Sequence, residues 1–421
     1  MNRAISIFVA FLTVVSCMDL EQISSERNNP YQSDLHNVSI RLQSPSALAD
    51  VRMDGIIVYI DNVLNGSRFE GRTDAEGKVV FSLPNGLYSV STSHAFNDEL
   101  YSASEDRVRV ADADRSVSML LNKVRTGDIL IKEIYCGGCK KTPEEGNYQS
   151  DKYIVLHNNT SGVVWLDGLC FGMSDPYNAT GTNVWIKKDP ATGATIFPSF
   201  VPLVEAVWQI GGDGDDFPLA SGEDAVLVIN GAIDHSQQYP LSVNLNHQDY
   251  FVCYNTTYFP NPTYHPVPGD KIRQERILNV VIKVGQANAF PLSISSPAPV
   301  IFRPEGTTIQ EYIAQVDNVI PIPGSSNGHR AVCIPYDWVE DAVDVFDGRS
   351  SNNVKRFSSA IDGGCVYQSD VFMGHSLMRK VNEGKSAALG YEVLVDTNNS
   401  SNDLYERDVQ SLHVEKEGGD E

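Results

Sequence analysis

Basic residues are scarce in this chain. Its 421 residues include 32 Lys and Arg against 54 Asp and Glu, a formal net charge of −22. A surface that acidic repels phosphate backbones, and no basic stripe interrupts it, which excludes nucleic acid as a partner. The same charge repels anionic headgroups, so membrane contact has to come from something other than a polybasic face. Catalytic signatures are also lacking. There is no His-Glu-x-x-His pair, no phosphate-binding Gly-rich loop with its Lys and no dinucleotide fingerprint, and no nucleophile elbow is expected. Glu340 and Asp341 are adjacent and would diverge on a helix, so a glycosidase pair is not indicated. Beyond the first fifteen residues, no run is apolar for long enough to cross a bilayer. Hydrophobic residues at 42% and charged residues at 20% still describe folded globular protein, and the length predicts two or three domains.

The N-terminus carries an address. Met1 to Arg3 form a short positive region, and Ala4 to Val15 are almost wholly apolar, the length of a signal-peptide core. Val14-Val15-Ser16-Cys17 then resembles the bacterial lipobox, whose cysteine receives diacylglycerol before cleavage. Residues 1–16 are thus expected to be removed and Cys17 to be the lipidated first residue. Asp19 and Glu21 resemble the acidic export signal of Bacteroides-type lipoproteins, which implies the bacterial outer membrane, surface side. Residues 17–36, polar and centred on Asn28-Asn29-Pro30, read as a flexible tether.

Six cysteines follow Cys17: Cys136, Cys139, Cys170, Cys253, Cys333 and Cys365. An even number in an exported chain suggests disulfides. Cys136-Gly-Gly-Cys139 is the sharpest feature. A structural disulfide is the leading expectation there. A redox dithiol or metal pair is the second, although the haem-type His is replaced by Lys140 and no second pair lies at zinc spacing. Free thiols are the third.

Period-two patterning dominates from Asn37 to Lys123. Val38 to Leu42 alternates, Ile56 to Ile60 is a β-branched run, and Thr73-Asp74-Ala75-Glu76-Gly77 and Leu83-Pro84-Asn85-Gly86 read as turns between strands. About seven strands at this spacing predict a small antiparallel sandwich. The stretch Thr73-Asp74-x-x-Gly77-x-Val79-x-Phe81, then Leu83-Pro84-x-Gly86-x-Tyr88-x-Val90, resembles the carboxypeptidase regulatory-like, prealbumin-type module. That likeness implies a spacer or docking domain over 37–123 and no active site.

From Gly127 onward, strands are expected at Asp128–Tyr135, Lys152–Asn159, Val163–Phe171, Ala225–Ile229, Ile277–Val284, Pro299–Phe302 and Ala331–Ile334. Helical spacing predicts one or two short helices, at Ile309–Val316 and Asp337–Phe346. The fold class is therefore all-β: a small sandwich followed by a larger, mainly β domain with long loops. Ile131-Lys132-Glu133-Ile134-Tyr135, Asp151 to Asn159, Leu166-Asp167-Gly168-Leu169, Ile334 to Val343 and Asp396-Thr397-Asn398-Asn399-Ser400 resemble the DUF4876 family of Bacteroides-type lipoproteins. A more distant likeness is to lamin-tail immunoglobulin-like domains. The resemblance spans residues 127–421 and implies a fold and an address, with no activity to transfer. Where that family's last motif ends in Asp-Phe, this chain has Asn402-Asp403-Leu404.

Two weaker candidates remain. Asp213, Asp215 and Asp216 share a Gly-rich loop that calcium would suit, although the spacing is not that of an EF-hand, and a solvated loop is the plainer reading. His247, His265, Tyr250, Tyr254, Tyr258 and Tyr264 lie in a proline-rich stretch around Cys253. The histidines would share a metal only if the chain doubled back. An exposed aromatic face would suit a sugar, peptide or protein, and packing against the sandwich is the alternative. The expected function is that of a non-enzymatic envelope lipoprotein, with no cofactor beyond its diacylglycerol. It would capture an extracellular ligand beside an outer-membrane transporter. Structural or adhesive service without a small ligand is the alternative, and an unrecognised hydrolase the third.

Overall fold

A computed structural model describes residues 35–413, apart from 46, 47, 49, 50, 98, 192 and 193. The signal segment, Cys17 and the tether up to residue 34 lie outside the described residues.

Strict alternation builds the first layer. In Lys78–Pro84 the side chains of Val79, Phe81 and Leu83 are buried, while Lys78, Val80 and Ser82 face water. Eight strands are described in the first module: β1 (Leu35–Gln43), β2 (Ile57–Asn62), β3 (Arg68–Arg72), β4 (Lys78–Pro84), β5 (Gly86–Phe96), β6 (Glu99–Val110), β7 (Arg115–Leu120) and β8 (Asn122–Lys123). They form a three-stranded sheet, β4-β1-β7, and a five-stranded sheet, β3-β2-β5-β6-β8. Val38, Ile40, Val58, Ile60, Phe81 and Val90 meet between them in one core. β1 begins at Leu35, so the last two residues expected in the tether belong to the sheet. The sandwich is antiparallel except at one place, where β7 returns beside β1 in parallel register.

The two glycines of the recognised pattern do different work. Gly77 has φ +73° and closes the Asp74 turn, with its N–H donating to Asp74 O (3.0 Å). Gly86 opens β5 without a left-handed backbone; a Cβ there would come within 2.9 Å of the Tyr88 ring. The Tyr88 hydroxyl donates to Pro84 O (2.9 Å) and ties the strand end to the corner.

The larger unit contains a six-stranded sheet in the order Phe251–Val252, Asp224–Val228, Tyr153–Asn158, Ile129–Tyr135, Ser376–Arg379, Leu404–Arg407. It faces a seven-stranded sheet whose middle strands are Phe200–Gln209, Cys170–Ser174 and Pro299–Phe302. Ile154, Leu156, Phe171, Met173 and Trp208 fill the space between. Both sheets are also covered outside. Tyr153 and Val155 pack under Val243, Leu245 and Leu412. Val201, Leu203 and Val207 pack under Ile309, Trp338 and Phe357. Burial on both faces explains why Tyr153–Asn158 is continuously buried instead of half polar.

Three short helices are described: Ile309–Ile313, Glu383–Leu389 and Ser400–Asp403. The first carries a capping box between Thr308 and Glu311. The helix expected at Asp337–Phe346 is absent. That segment is a single 3-10 turn at Tyr336–Trp338, then strands Val339–Ala342 and Val345–Asp347. A bulge in the pairing of Val339–Ala342 with Pro299–Phe302 explains the misleading pattern: Phe302 opposes Val339 and Ile301 opposes Asp341. The extra residue brings Val339 and Ala342, three apart, onto one face, which imitates helical spacing. The predicted strand Val163–Phe171 is likewise two strands, Val164–Trp165 and Cys170–Ser174, separated by the Asp167-Gly168 turn.

The two units meet through polar contacts. Arg107 Nη1 donates to Asn353 O (2.9 Å), Ser93 Oγ to Thr397 O (2.7 Å), and Asn399 Nδ2 to Ser91 Oγ (3.0 Å). The Asp396–Ser400 motif is the hub of this junction. Thr397 bonds Asp403 through its N–H (2.8 Å) and hydroxyl (2.7 Å), and Ser400 bonds Asp362 (2.9 and 2.6 Å). Beneath it Asp344 accepts from Arg356 Nε (2.8 Å) and sits 3.1 Å from Lys355 Nζ, all buried. Burial pushes the Asp344 carboxyl up, but the two cations outweigh it and hold it below the usual range.

Candidate functional site

A cavity of about 420 Å³ opens at one end of the larger sandwich. Lys152, Tyr177, Asn178, Asn230, Tyr264, Ser293 and Asp347 are among the residues that line it. Lys152 immediately precedes the Tyr153–Asn158 strand, and its carbonyl accepts from Ile229 N (2.9 Å) and Asn230 N (3.2 Å). Its side chain is only 4% exposed with the rest of the residue, and Nζ donates to Leu292 O (2.6 Å). No carboxylate among the described residues pairs with it. Burial pushes the Lys152 ammonium down to about 8, against the opposing pull of Asp151.

The loop over Lys152 is pinned by a neutral histidine. Burial pushes His265 down to about 4, so its Nε2 is free to accept, and it takes the Phe290 N–H (2.9 Å). Asn230 Nδ2 donates to Phe290 O (3.2 Å). These two bonds hold the segment that presents the Leu292 carbonyl. The Ser293 hydroxyl donates to Asn178 Oδ1 (2.6 Å), and Gln149 Nε2 to the Tyr264 hydroxyl (3.1 Å). Burial raises the Tyr177 phenol to about 12, which keeps it a protonated donor. Among the described residues the lining thus offers one cation, one carboxylate, several amides and hydroxyls, and three aromatic side chains, Tyr177, Tyr264 and Phe290.

The residues singled out in the sequence are placed differently from expectation. Cys136 and Cys139 are not bonded; all six described cysteines are buried free thiols. Gly138, at φ +72°, turns the chain between the pair. Cys136 Sγ then meets Gln368 Oε1 (3.0 Å), while Cys139 Sγ faces Asp151 Oδ2 (3.9 Å). Burial raises both thiols to about 12, which leaves them unreactive. Asp213, Asp215 and Asp216 are exposed and do not converge; among the described residues they form no cation-holding group. The anion that organises their loop is Asp167, which accepts from Gly214 N (3.1 Å), Asp216 N (3.1 Å) and Phe217 N (3.0 Å). Burial pushes Asp167 up, but those amides outweigh it and hold the carboxyl below its ordinary range.

The aromatic stretch divides. Tyr250 and Tyr254 pack against the outer core, Tyr258 is 42% exposed, and Tyr264 turns into the cavity. His247 is exposed over Tyr250 (4.8 Å between rings), and His265 is buried beside Phe259 (5.8 Å). They are not a metal pair. The described residues hold one set with ligand atoms close enough for a metal, His157, Asp224 and Glu392. Lys132 occupies its cationic place, with Nζ 2.6 Å from Asp224 Oδ2 and bonded to Glu392 Oε1. The Gly-x-Ser-x-Gly letters do occur, at Gly324-Ser325-Ser326-Asn327-Gly328. They form an exposed turn after the Val319–Pro321 strand, and the Ser326 hydroxyl donates to Asn327 Oδ1 (3.3 Å). An elbow needs a strand-to-helix turn and a base.

A similar fold has been seen before. Residues 220–411 match the DUF4876 family. Its description is "protein of unknown function". The matched DUF4876 stretch contains Asn230, Tyr264, Ser293 and the Asp396–Ser400 motif, and begins after Lys152. The crystal structure of a DUF4876 family protein from Bacteroides thetaiotaomicron is 21% identical, covers 91% of this chain and 97% of its own, and has a TM-score of 0.55. That likeness shows a shared fold. A candidate adhesin from Bacteroides ovatus covers 52% of this chain and 71% of its own, at 11% identity and a TM-score of 0.19. The Bacillus anthracis TIE protein covers 45% and 32%, at 15% identity and 0.17. Neither is close enough in geometry to inform this chain. No curated protein matches it.

Proposed function

We propose that the protein is a non-catalytic, lipid-anchored envelope protein that captures a small polar ligand in the Lys152 cavity. The carrying observation is a buried ammonium in a polar cavity with a backbone carbonyl as its sole described hydrogen-bond partner. Desolvating a lysine is costly, and a cavity that retains one beside amides and phenols suits recognition of a polar solute. The non-catalytic reading is supported by the Ser293 hydroxyl, which bonds an amide oxygen instead of a base. The anchor rests on the sequence up to Cys17. Among the described residues no helix is long and apolar enough to cross a membrane. The first module stands next in sequence to the tether and would act as spacer, leaving the cavity available to ligand beside a transporter.

A thermal-shift screen of small polar solutes tests capture. Ala289 also lines the cavity, and tryptophan there would fill it; a hit should raise the melting temperature of the wild type and leave Ala289→Trp unmoved. A screen with no hit, or hits equal in both proteins, would overturn the reading. Cys17→Ser should release the protein from membranes; retention would remove the anchor.

A further inference from the structure

We infer that the ligand is a hydroxylated monocarboxylate, whose acid group pairs with the Lys152 ammonium. This rests on the cavity being the capture site. Lys355, the other deeply buried lysine among the described residues, shows what Lys152 lacks. It has a carboxylate, Asp344, at 3.1 Å and two carbonyls, of Asp362 and Gly364. Lys152 has the Leu292 carbonyl and no described counter-ion. A buried ammonium with one neutral partner is poised to gain from an incoming anion.

The anion is singly charged for two reasons. Among the described residues Lys152 is the one cation of the lining, with no guanidinium to fork onto a phosphate. Asp347 stands on the same cavity and repels further negative charge. The body is hydroxylated because Gln149, Asn178, Asn230 and Ser293 supply amide and hydroxyl groups, while Tyr177 and Tyr264 supply ring faces. A uronic acid unites these features: one carboxylate, several hydroxyls and a flat C–H face. Burial keeps Lys152 titrating near pH 8; the charged group that acts on it is the neighbouring Asp151 carboxyl, while Cys136 stays a protonated thiol in this range. A bound carboxylate would therefore be released as pH rises through that value.

The probes are D-glucuronate and D-glucuronamide, which differ only at the acid group, titrated by calorimetry into the full protein. At pH 7 glucuronate should bind at least tenfold more tightly, and Lys152→Met should erase the difference. Raising the pH to 9.5 should weaken glucuronate several-fold and leave glucuronamide unchanged; this arm needs only the wild type. Equal binding of the two, or a preference that survives Lys152→Met or is independent of pH, would overturn acid recognition. If that equal binding is lost in Ala289→Trp, the cavity remains the capture site. Binding of neither overturns the ligand class, and the wider solute screen then decides on capture itself. A borohydride-trapped adduct on Lys152 would also overturn it, since the amine would be acting as a nucleophile.

Discussion

Replacing Lys152 by Met should stabilise the protein at pH 7 and destabilise it above pH 10. The ammonium sits near 8 instead of its ordinary 10.5, so folding disfavours its charged form. The sign follows: the group's contribution to stability is complete above the unfolded value and is lost as pH falls through the folded one. At pH 7 the difference amounts to about 3 kcal/mol of cost, at about 1.4 kcal/mol for each pH unit. Methionine matches the stem in size and carries no charge, so the cost disappears. Against this, the Leu292 carbonyl loses its donor, which costs about 1–2 kcal/mol. The net is roughly 1–2 kcal/mol in favour of the variant at neutral pH. By about pH 10 less than 1 kcal/mol of charge cost remains, and the lost hydrogen bond decides. Urea melts from pH 7 to 10.5 should show the two midpoints crossing between about pH 9 and 10. A variant less stable at pH 7, or a gap that ignores pH, would refute this account of Lys152.

Three further outcomes follow from named contacts. Asp167→Ala removes the acceptor of three amide N–H groups and should cost about 1–3 kcal/mol, seen as faster proteolysis in the 211–216 loop; in the wild type the same loop should loosen only as pH falls below the ordinary carboxylate range. Asp344→Ala leaves the Lys355 and Arg356 cations buried without their shared carboxylate and should cost about 3–5 kcal/mol by chemical denaturation, whereas substitution of the exposed Asp213 should change little. Native protein should show slow thiol labelling, and denatured protein should expose every described cysteine without reductant, because all six are free and buried; a mass lower by two hydrogens for the Cys136–Cys139 peptide would contradict the structure.

Legibility in the sequence tracked how local the determinants are. β1 and β4 bury one face each, and alternation located β1 while the turns at either end bracketed β4. The larger unit hides its register because both faces of its central strands are covered by distant segments, as at Tyr153–Asn158. The bulge opposite Ile301 produced a false helix. The Glu383–Leu389 helix was missed although its signals are local, Asn382 capping the Lys385 N–H and Gly390 at φ +79°. The site left almost no trace. Lys152 reads as the first residue of a strand, and nothing local marks it as buried; the Phe290–Leu292 segment that covers it is held by His265 and Asn230. Tyr264 was singled out for an exposed aromatic face and lies in the cavity wall instead.

Native mass spectrometry of the protein purified gently from the cells that make it puts capture to the most direct test. Wild-type protein should carry a small acidic adduct that dissociates as pH is raised past 8, and Ala289→Trp prepared in parallel should carry none. The same adduct on both proteins, or a bare wild type after growth on varied nutrients, would contradict ligand capture at Lys152.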